Sequence, residues 1–444
     1  MAQEINKSLS GINEVTKETS ATISTGVSPV VATAMPYRWV ALALCLFGYA
    51  VAYMQRLGLG PLAPFMKTEL ALTNAQVGFY TSAAMSGYAI FLIPGGYLVD
   101  RFGSRWSLCF GQVVAGIFLI SMHFAQTYIM GIVAMFAAGL GLGFIVPASS
   151  KGIVEWFALK QRAMAMGIKQ TGVNIGGLLT AITLPMIAIT FGWRMGFVTL
   201  GVVAIVSGIA AAIIYRDPPK DKSETPAKDA SCASVSPPVK KEKESWLSVF
   251  KTRDIWLLCA AGIALYVAEM GVMAYFVLYL KTHLLIPVVT AGFLLGAIDV
   301  GGFFGKPIAG VISDRLLGGK RKPAFIMMGT ISTILTVVFA ILPIGSPQWL
   351  ILVCAVIFGF AAVGWGGLHF TMVSECAGKE HAATVLAASL VILAFANVVG
   401  VPLFGHISDM TGTWTWSWIY LVILGVIGMT CLFFVREERR RLAT

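Results

Sequence analysis

The stretch Gly96-Tyr97-Leu98-Val99-Asp100-Arg101-Phe102-Gly103-Ser104-Arg105 lies between two long apolar runs and concentrates glycine and charge in a few residues. A related stretch, Gly310-Val311-Ile312-Ser313-Asp314-Arg315, ends another apolar run 214 residues later (310 minus 96). Glycine permits a tight turn, and the charged side chains hold that turn at a polar surface. Each stretch therefore predicts a helical hairpin, and the repeat predicts two halves of similar architecture.

The composition excludes an ordinary soluble protein. Of 444 residues, 57% are hydrophobic and 12% are charged, and the mean hydropathy is +0.81. A typical soluble domain has about 25% charged residues, so most of this surface must face lipid. The seven cysteines show no C-x-x-C or Cys/His pattern, which predicts neither a metal centre nor a disulfide framework. We also find no phosphate-binding G-x-x-x-x-G-K-[ST] sequence, and we predict no cofactor.

Twelve apolar stretches are long enough to cross a bilayer, which takes about 20 helical residues. The first six run from about Trp39 to Tyr215, with the first stretch ending near Gly58, and the second six run from about Ile255 to Val435. This pattern predicts an all-α membrane protein with twelve transmembrane helices in two pseudo-symmetric six-helix bundles. The predicted parts are an N-terminal tail at 1–36, a bundle at 37–216, a linker at 217–252, a bundle at 253–436 and a tail at 437–444.

Lysine and arginine are distributed unevenly between the predicted loops. One set of loops, with the linker and the C-terminal tail, holds most of them, while the other set holds little beyond Lys67, Arg194 and Lys281. Because positive residues stay on the cytoplasmic side, we predict a multi-pass protein of the cytoplasmic (inner) membrane with both termini in the cytoplasm. This asymmetry accounts for the net charge of +11 without a nucleic-acid partner, and we expect a monomer in the bilayer.

The sequence from Gly96 to Arg105 resembles the G-x-L-x-D-R-x-G-x-R signature of the major facilitator superfamily, and the second copy resembles its C-terminal counterpart. The resemblance extends from residue 37 to 436 and implies a transporter in which two bundles rock about a central site. The loop charges then act as gating residues, with topology anchoring as the alternative. These residues are Asp100, Arg101, Arg105, Asp314 and Arg315.

The sequence Tyr53-Met54-Gln55-Arg56 resembles the Y-x-D-R of the anion:cation symporter family. That family imports organic anions, commonly with protons, so the resemblance implies an anionic substrate. Two positions differ from the family: Gln55 replaces the acid beside the arginine, and Leu142 replaces an acid in the fourth helix. Both usual proton sites are therefore absent, and the coupling mechanism of the family does not transfer.

A second resemblance lies in the predicted eighth helix. Lys306-Pro307-Ile308-Ala309-Gly310 resembles the R-P-x-x-G of monocarboxylate transporters and oxalate/formate exchangers, in which the cation binds a carboxylate. The family has an aspartate four residues before the cation, whereas this chain has Gly302 there and its nearest acid at Asp299.

Charged side chains at membrane depth are costly and usually face a cavity or a partner. Lys306 and Asp299 lie two helical turns apart on one face, so Lys306 could bind a substrate carboxylate while Asp299 holds a proton. A buried ion pair that only joins helices is the alternative. Arg56 shares a face with Tyr49 and Tyr53, and the paired N–H donors of its guanidinium suit a carboxylate or sulfonate. Alternatively, the Arg56 side chain extends to the outer membrane interface.

Three further groups lie inside predicted helices. Glu269, with Tyr266 on its face, could carry a proton or be a hydrogen-bonded structural acid. Lys169 could contact substrate or anchor an inner helix end, and His369 fits a packing role better than a titrating one. The predicted substrate-binding residues are Arg56, Lys306, Tyr53, Tyr49, Lys169 and Tyr266, and the predicted proton-coupling residues are Asp299 and Glu269.

These observations predict a secondary transporter that moves a small organic anion of the carboxylate type by alternating access. Proton symport is the favoured coupling, since the negative-inside potential opposes anion entry. The alternatives are anion exchange, export of cationic drugs and a substrate sensor. We find no nucleophile, metal set or paired acids in register, so no enzymatic activity is predicted.

Overall fold

The computed structural model describes residues 37–157, 159–217 and 252–435. The predicted tails at 1–36 and 437–444, and most of the predicted linker at 217–252, lie outside the described residues.

The described chain is helical throughout, with no strand in these ranges, which confirms the predicted all-α class. A 3-10 turn at Met122–Phe124 and a π-helical turn at Ile312–Leu316 complete the elements. The helices of the first half are α1 Tyr37–Leu57, α2 Leu59–Glu69, α3 Asn74–Ser121, α4 Tyr128–Trp156, α5 Leu159–Phe191 and α6 Trp193–Ile214. The helices of the second half are α7 Arg253–Thr282, α8 Val288–Val311, α9 Arg321–Ile341, α10 Gln348–Thr411 and α11 Trp414–Phe434.

Helix α3 crosses the membrane twice. Its backbone breaks at Gly103, where φ is +83° and ψ is 170°, a conformation that glycine adopts without strain. Gly95, before the break, packs against Gly143 of α4, and Gly111, after the break, packs against Gly141 of the same helix. The two arms therefore run antiparallel, and the predicted hairpin at Gly96–Arg105 is confirmed. The arms of α3 are residues 74–102 and 104–121.

Helix α10 also folds back on itself. His369 and Ser389 are hydrogen-bonded at 3.3 Å, although 20 residues of straight helix would separate them by about 30 Å. Among the described residues, eleven segments are long and apolar enough to span a membrane, and α3 lies in one segment of 51 residues. Since that segment crosses twice, the structure contains the twelve predicted crossings. The arms of α10 are Gln348–Ala377 and Val385–Thr411.

The first predicted helix is longer than the sequence pattern indicated. We expected it to end near Gly58, but α2 follows directly and continues to Glu69. Gly60 of α2 packs against the Met273 carbonyl of α7, where a Cβ would not fit. Arg56 is therefore 13 residues from the end of α2, about 20 Å at helical rise, and lies inside the bundle.

The two halves meet at one end of the bundle. We call the end that holds Tyr37, Gly103 and Gly318 the terminal face, and the opposite end the far face. Near the far face, α3 packs against α10, and α5 packs against α8. The contacts that join the halves there include Asn74 with Asp409, Gly78 with Pro402, Ser82 with Val398, and Ala181 with Gly292.

Candidate functional site

Arg56 lies between the two halves, surrounded by tyrosine rings. Its guanidinium donates a hydrogen bond to the Tyr266 hydroxyl of α7 and another, at 3.4 Å, to the Tyr53 hydroxyl. The guanidinium carbon is 5.3 Å from the Tyr53 ring centroid and 5.6 Å from that of Tyr88 on α3. Arginine is attracted to such ring faces. The predicted residues Arg56, Tyr53 and Tyr266 are therefore brought together across the boundary between the halves.

The charge of Arg56 has no close counterion. Within the described ranges, no carboxylate oxygen lies within 4 Å of its guanidinium, and its Nε has no hydrogen-bond partner. A cavity of about 20 Å³ beside Arg56 is also lined by Met270 and Thr81, and the Thr81 hydroxyl is likewise without a partner. Such a cavity holds about one water-sized group, so an organic anion does not fit into this space as it stands.

Gln55 occupies the position at which the anion:cation symporter family has an acid. Its side chain forms a hydrogen bond within the first half. Its amide nitrogen donates to the side-chain amide oxygen of Gln112 on α3 at 2.6 Å, and the Gln112 amide nitrogen donates to the Gly48 backbone carbonyl at 2.7 Å. Gln55 is buried. The side chain at this position is therefore a neutral link between α1 and α3.

Lys169 is buried inside the first half. Only 2% of its surface is exposed, and its ammonium lies 4.5 Å from the Tyr49 ring centroid and 2.8 Å from the Ser150 hydroxyl oxygen. The rings of Tyr49 and Tyr53 are 5.0 Å apart. The predicted residues Lys169, Tyr49, Tyr53 and Arg56 therefore form one continuous patch of two cations and two rings.

Lys306 does not form the ion pair with Asp299 that the sequence left open. Instead, the Lys306 ammonium donates to the side-chain oxygen of Asn174 on α5 at 3.1 Å. The Asn174 amide nitrogen in turn donates to the backbone carbonyl of Asp299 at 3.1 Å. The Asp299 carboxylate is buried against Gly177 of α5. Helix α8 thus places both charges against the first half.

Glu269 of α7 lies between Arg56 of the first half and Lys306 of the second half. Its carboxylate accepts a hydrogen bond from the Trp365 indole at 3.2 Å, and the charges of Lys306 and Arg56 both act on it. The Trp365 ring also lies against the Tyr266 ring, with 6.4 Å between the centroids. A carboxyl group therefore lies between two cations from different halves.

Some residues of the site were not singled out by the sequence. Tyr88 and Trp365 are ordinary aromatic residues of apolar runs, and no spacing marks them. Outside these contacts, Asn397 of α10 is buried with neither amide atom hydrogen-bonded, and an amide within a long apolar run is the signal that could have identified it. His369 is buried between Phe325 and Trp365, a packing environment.

The predicted gating residues of the first half lie at the terminal face. Asp100 forms an ion pair with Lys151 at 3.2 Å. The Arg105 side chain donates to the Ala212 carbonyl at 2.7 Å, while Arg101 is exposed beside the Phe102 ring. These contacts all remain within the first half.

The second copy of the motif has a related arrangement. Asp314 forms an ion pair with Arg321, which lies 3.9 Å from Glu375. Arg315 is exposed and is not the partner of Asp314. As in the first half, the ion pairs of Asp314 and Glu375 with Arg321 stay within one half.

Comparison with known proteins agrees with this architecture. The family model of the Major Facilitator Superfamily matches residues 45–400. The probable sulfoacetate transporter of Cupriavidus necator is 26% identical over 62% of this chain, and the match spans 64% of that protein's length. The hexuronate transporter of Bacillus subtilis is 24% identical over 85% of this chain and 89% of its own length.

Two further comparisons cover most of the chain. The membrane sensor protein UhpC of Salmonella typhimurium is 25% identical over 76% of this chain and 77% of its own. A bacterial homolog to the human lysosomal transporter Spinster, solved in an inward-facing and occupied conformation, superposes with a TM-score of 0.74 at 18% identity, over 90% of this chain and 97% of that one. The chain belongs to the Major Facilitator Superfamily.

Proposed function

We propose that the protein is a secondary transporter that moves a small organic anion of the carboxylate type across the cytoplasmic membrane by alternating access, with protons as the coupling ion. One observation carries this proposal. Three cations lie within the membrane-spanning helices, Lys169 buried and Arg56 and Lys306 half-buried, and no described carboxylate lies within 4 Å of any of them.

The charge balance of the site favours an anion. Two acids, Glu269 and Asp299, accompany the three cations, so the group keeps one unbalanced positive charge when both acids are ionised. An unbalanced charge at membrane depth is costly, and a bound anion removes that imbalance. The Arg56 Nε lacks an acceptor, and a carboxylate or sulfonate oxygen can accept its hydrogen bond in a charge-assisted, bidentate contact.

The relatives support an acidic substrate. Two of them are named for sulfoacetate and hexuronate, which both carry a carboxylate. Neither name refers to a cation, and the interior cations also disfavour a cationic drug. The name of the third relative, a membrane sensor protein, adds a second candidate function in which the anion is bound without being moved.

Coupling to protons follows from electrostatics. The membrane potential, negative inside, opposes the entry of an anion by about 2.3 kcal/mol per charge at 100 mV unless cations enter with it. Glu269 is the candidate carrier because it is an acid inside α7 whose carboxylate is hydrogen-bonded to the Trp365 indole, and Asp299, buried in α8, is the second candidate. The lysine and arginine distribution supports a cytoplasmic terminal face.

The first test is ligand binding to the purified protein. Thermal stability would be measured with sulfoacetate, glucuronate, L-galactonate and glucose 6-phosphate, and with glucose and tetraphenylphosphonium as neutral and cationic controls. We expect at least one carboxylate to raise the melting temperature and the controls to have no effect. The Arg56→Gln variant should lose the response. Stabilisation by tetraphenylphosphonium alone would contradict the proposal.

The second test is uptake into proteoliposomes at a clamped membrane potential. Symport predicts that an inward proton gradient drives accumulation of the anion. Uptake that ignores the proton gradient but requires internal anion would indicate exchange instead. Binding without any uptake would assign the sensor function.

A further inference from the structure

Asn174 of α5 uses both ends of its amide on the opposite half. It is 2% exposed. Its nitrogen donates to the backbone carbonyl of Asp299 and its oxygen accepts from the Lys306 ammonium, each at 3.1 Å. The two contacts lie seven residues apart on α8, about 10.5 Å at helical rise. One neutral side chain therefore ties two successive turns of α8 to the first half.

Two glycines make this contact possible. A Cβ on Gly302 would collide with the Asn174 amide nitrogen, and a Cβ on Gly177 would collide with the Asp299 carboxylate. The close crossing of α5 and α8 extends toward the far face, where Gly292 packs on the Ala181 carbonyl. Asn174 is thus the polar contact of a helix crossing that also helps to close the far face.

The bond between Lys306 and Asn174 is one that an anion can replace. An ammonium bonds more strongly to a charged acceptor than to an amide oxygen. We propose that Asn174 is a positioning residue that holds the Lys306 ammonium in the ligand-free site. A bound anion replaces Asn174 as the hydrogen-bond partner of Lys306 and so removes one contact between the halves. This inference rests on the proposed function, because it requires an anion that binds Lys306.

The proposal couples binding to movement through one identified contact. Separation of α5 from α8 must break the Asn174–Lys306 hydrogen bond, since its donor and acceptor lie on different halves. A ligand shifts a conformational equilibrium only by its differential interaction with the two states. When Lys306 bonds to the ligand instead of Asn174, separation of α5 from α8 no longer breaks the Asn174–Lys306 hydrogen bond. Ligand binding therefore lowers the cost of the separated state relative to the closed state.

The first test needs no ligand. Asn174→Leu, Lys306→Met and the double variant form a double-mutant cycle, with the melting temperature of the purified protein as the readout. Asn174→Leu keeps the branched outline of the side chain, and Lys306→Met keeps most of its length. We expect Asn174→Leu to lower the melting temperature less in the Lys306→Met background than in the native background. Additive changes would overturn the claim that Asn174 holds Lys306.

The second test uses sulfoacetate and measures the half-saturating concentration and maximal rate of uptake. Asn174→Asp places a carboxylate against Lys306 and should raise the half-saturating concentration at least tenfold, whereas Asn174→Leu should lower it several-fold. The control is Thr180→Val, a buried α5 residue whose hydroxyl bonds only to Gly176 and Met54 carbonyls, and it should leave this concentration unchanged. A shift in the same direction for both Asn174 variants would overturn the displacement step.

The two tests distinguish the proposed transport function from the proposed role of Asn174. If the native protein transports none of the panel anions while the cycle is non-additive, the proposed function fails and Asn174 still holds Lys306. If transport of an anion is observed but the cycle is additive, the proposed function stands and the role of Asn174 is refuted.

Discussion

Asp409, at the end of α10, caps a helix that belongs to the other half. Its carboxylate oxygens accept hydrogen bonds from the backbone nitrogens of Asn74 at 2.9 Å and Ala75 at 2.8 Å, in the first turn of α3. The other unsatisfied N–H groups of that turn are bonded by the reciprocal pair of Thr73 and Gln76. Removing the carboxylate therefore affects a contact that exists only while the far face is closed.

The size of the effect follows from these two bonds. Loss of an N-cap costs about 0.5–2 kcal/mol, and loss of a negative charge at a helix N-terminus costs about 0.3–1 kcal/mol. Because Asp409 is exposed and water replaces part of the interaction, we expect Asp409→Ala to disfavour the closed far face by about 1–2 kcal/mol. That corresponds to a shift of roughly 5- to 30-fold toward the far-open form.

A thiol reagent can measure this shift. Ser82 is buried, and its hydroxyl donates to the Val398 carbonyl across the same contact at 2.7 Å. In a Ser82→Cys background, a membrane-impermeant maleimide applied from the far side should label the protein roughly 5 to 30 times faster once Asp409 is replaced. The control is Met410→Ala, an exposed neighbour. Equal labelling rates with and without Asp409→Ala would refute the reasoning.

Three further predictions concern the site itself. Gly177→Ala should destabilise the protein by about 1–3 kcal/mol through overpacking against Asp299, whereas Gly167→Ala, on the same helix with no neighbour to meet, should not lower the melting temperature. Glu269→Gln fixes this group in a neutral form, so uptake should lose its dependence on an imposed proton gradient; a preserved dependence would exclude Glu269 as the carrier. Arg56→Lys keeps the positive charge but removes the paired N–H donors of the guanidinium. The dissociation constant of the anion, measured by thermal-shift titration, should rise roughly tenfold, since a charged hydrogen bond contributes about 1.5–3 kcal/mol. An unchanged constant would contradict a bidentate contact.

Most of the fold could be predicted because the bilayer constrains it locally. Each crossing needs about 20 apolar residues, and the signature from Gly96 to Arg105 marks a turn by its own residues. The continuation of α1 into α2 could not be predicted in this way, because Gly58, Pro61 and Pro64 read as a break. In the structure, α2 includes both prolines, and contacts of this segment with α7 support it.

The charged residues of the site could be found in the sequence, but their partners could not. Arg56, Lys306 and Glu269 stand out because charges are rare in apolar runs. Asp299 lies on the same helical face as Lys306, which left an ion pair between them open as an alternative. The structure instead places Asn174 against Lys306, because the partner of a membrane charge is decided by which helix packs alongside, and helical spacing does not reveal that.

The Gln55–Gln112 link has a consequence for how the two halves respond to protons. With an amide at position 55, the acids of the described first half all lie near its ends, and its interior charge is +2 when Arg56 and Lys169 are both charged. The interior of the second half varies from −1, when Glu269 and Asp299 are both ionised beside Lys306, to +1, when both are neutral. Opposite signs attract and like signs repel. If Glu269 and Asp299 both take up protons, the force between the two bundles therefore changes from attraction to repulsion.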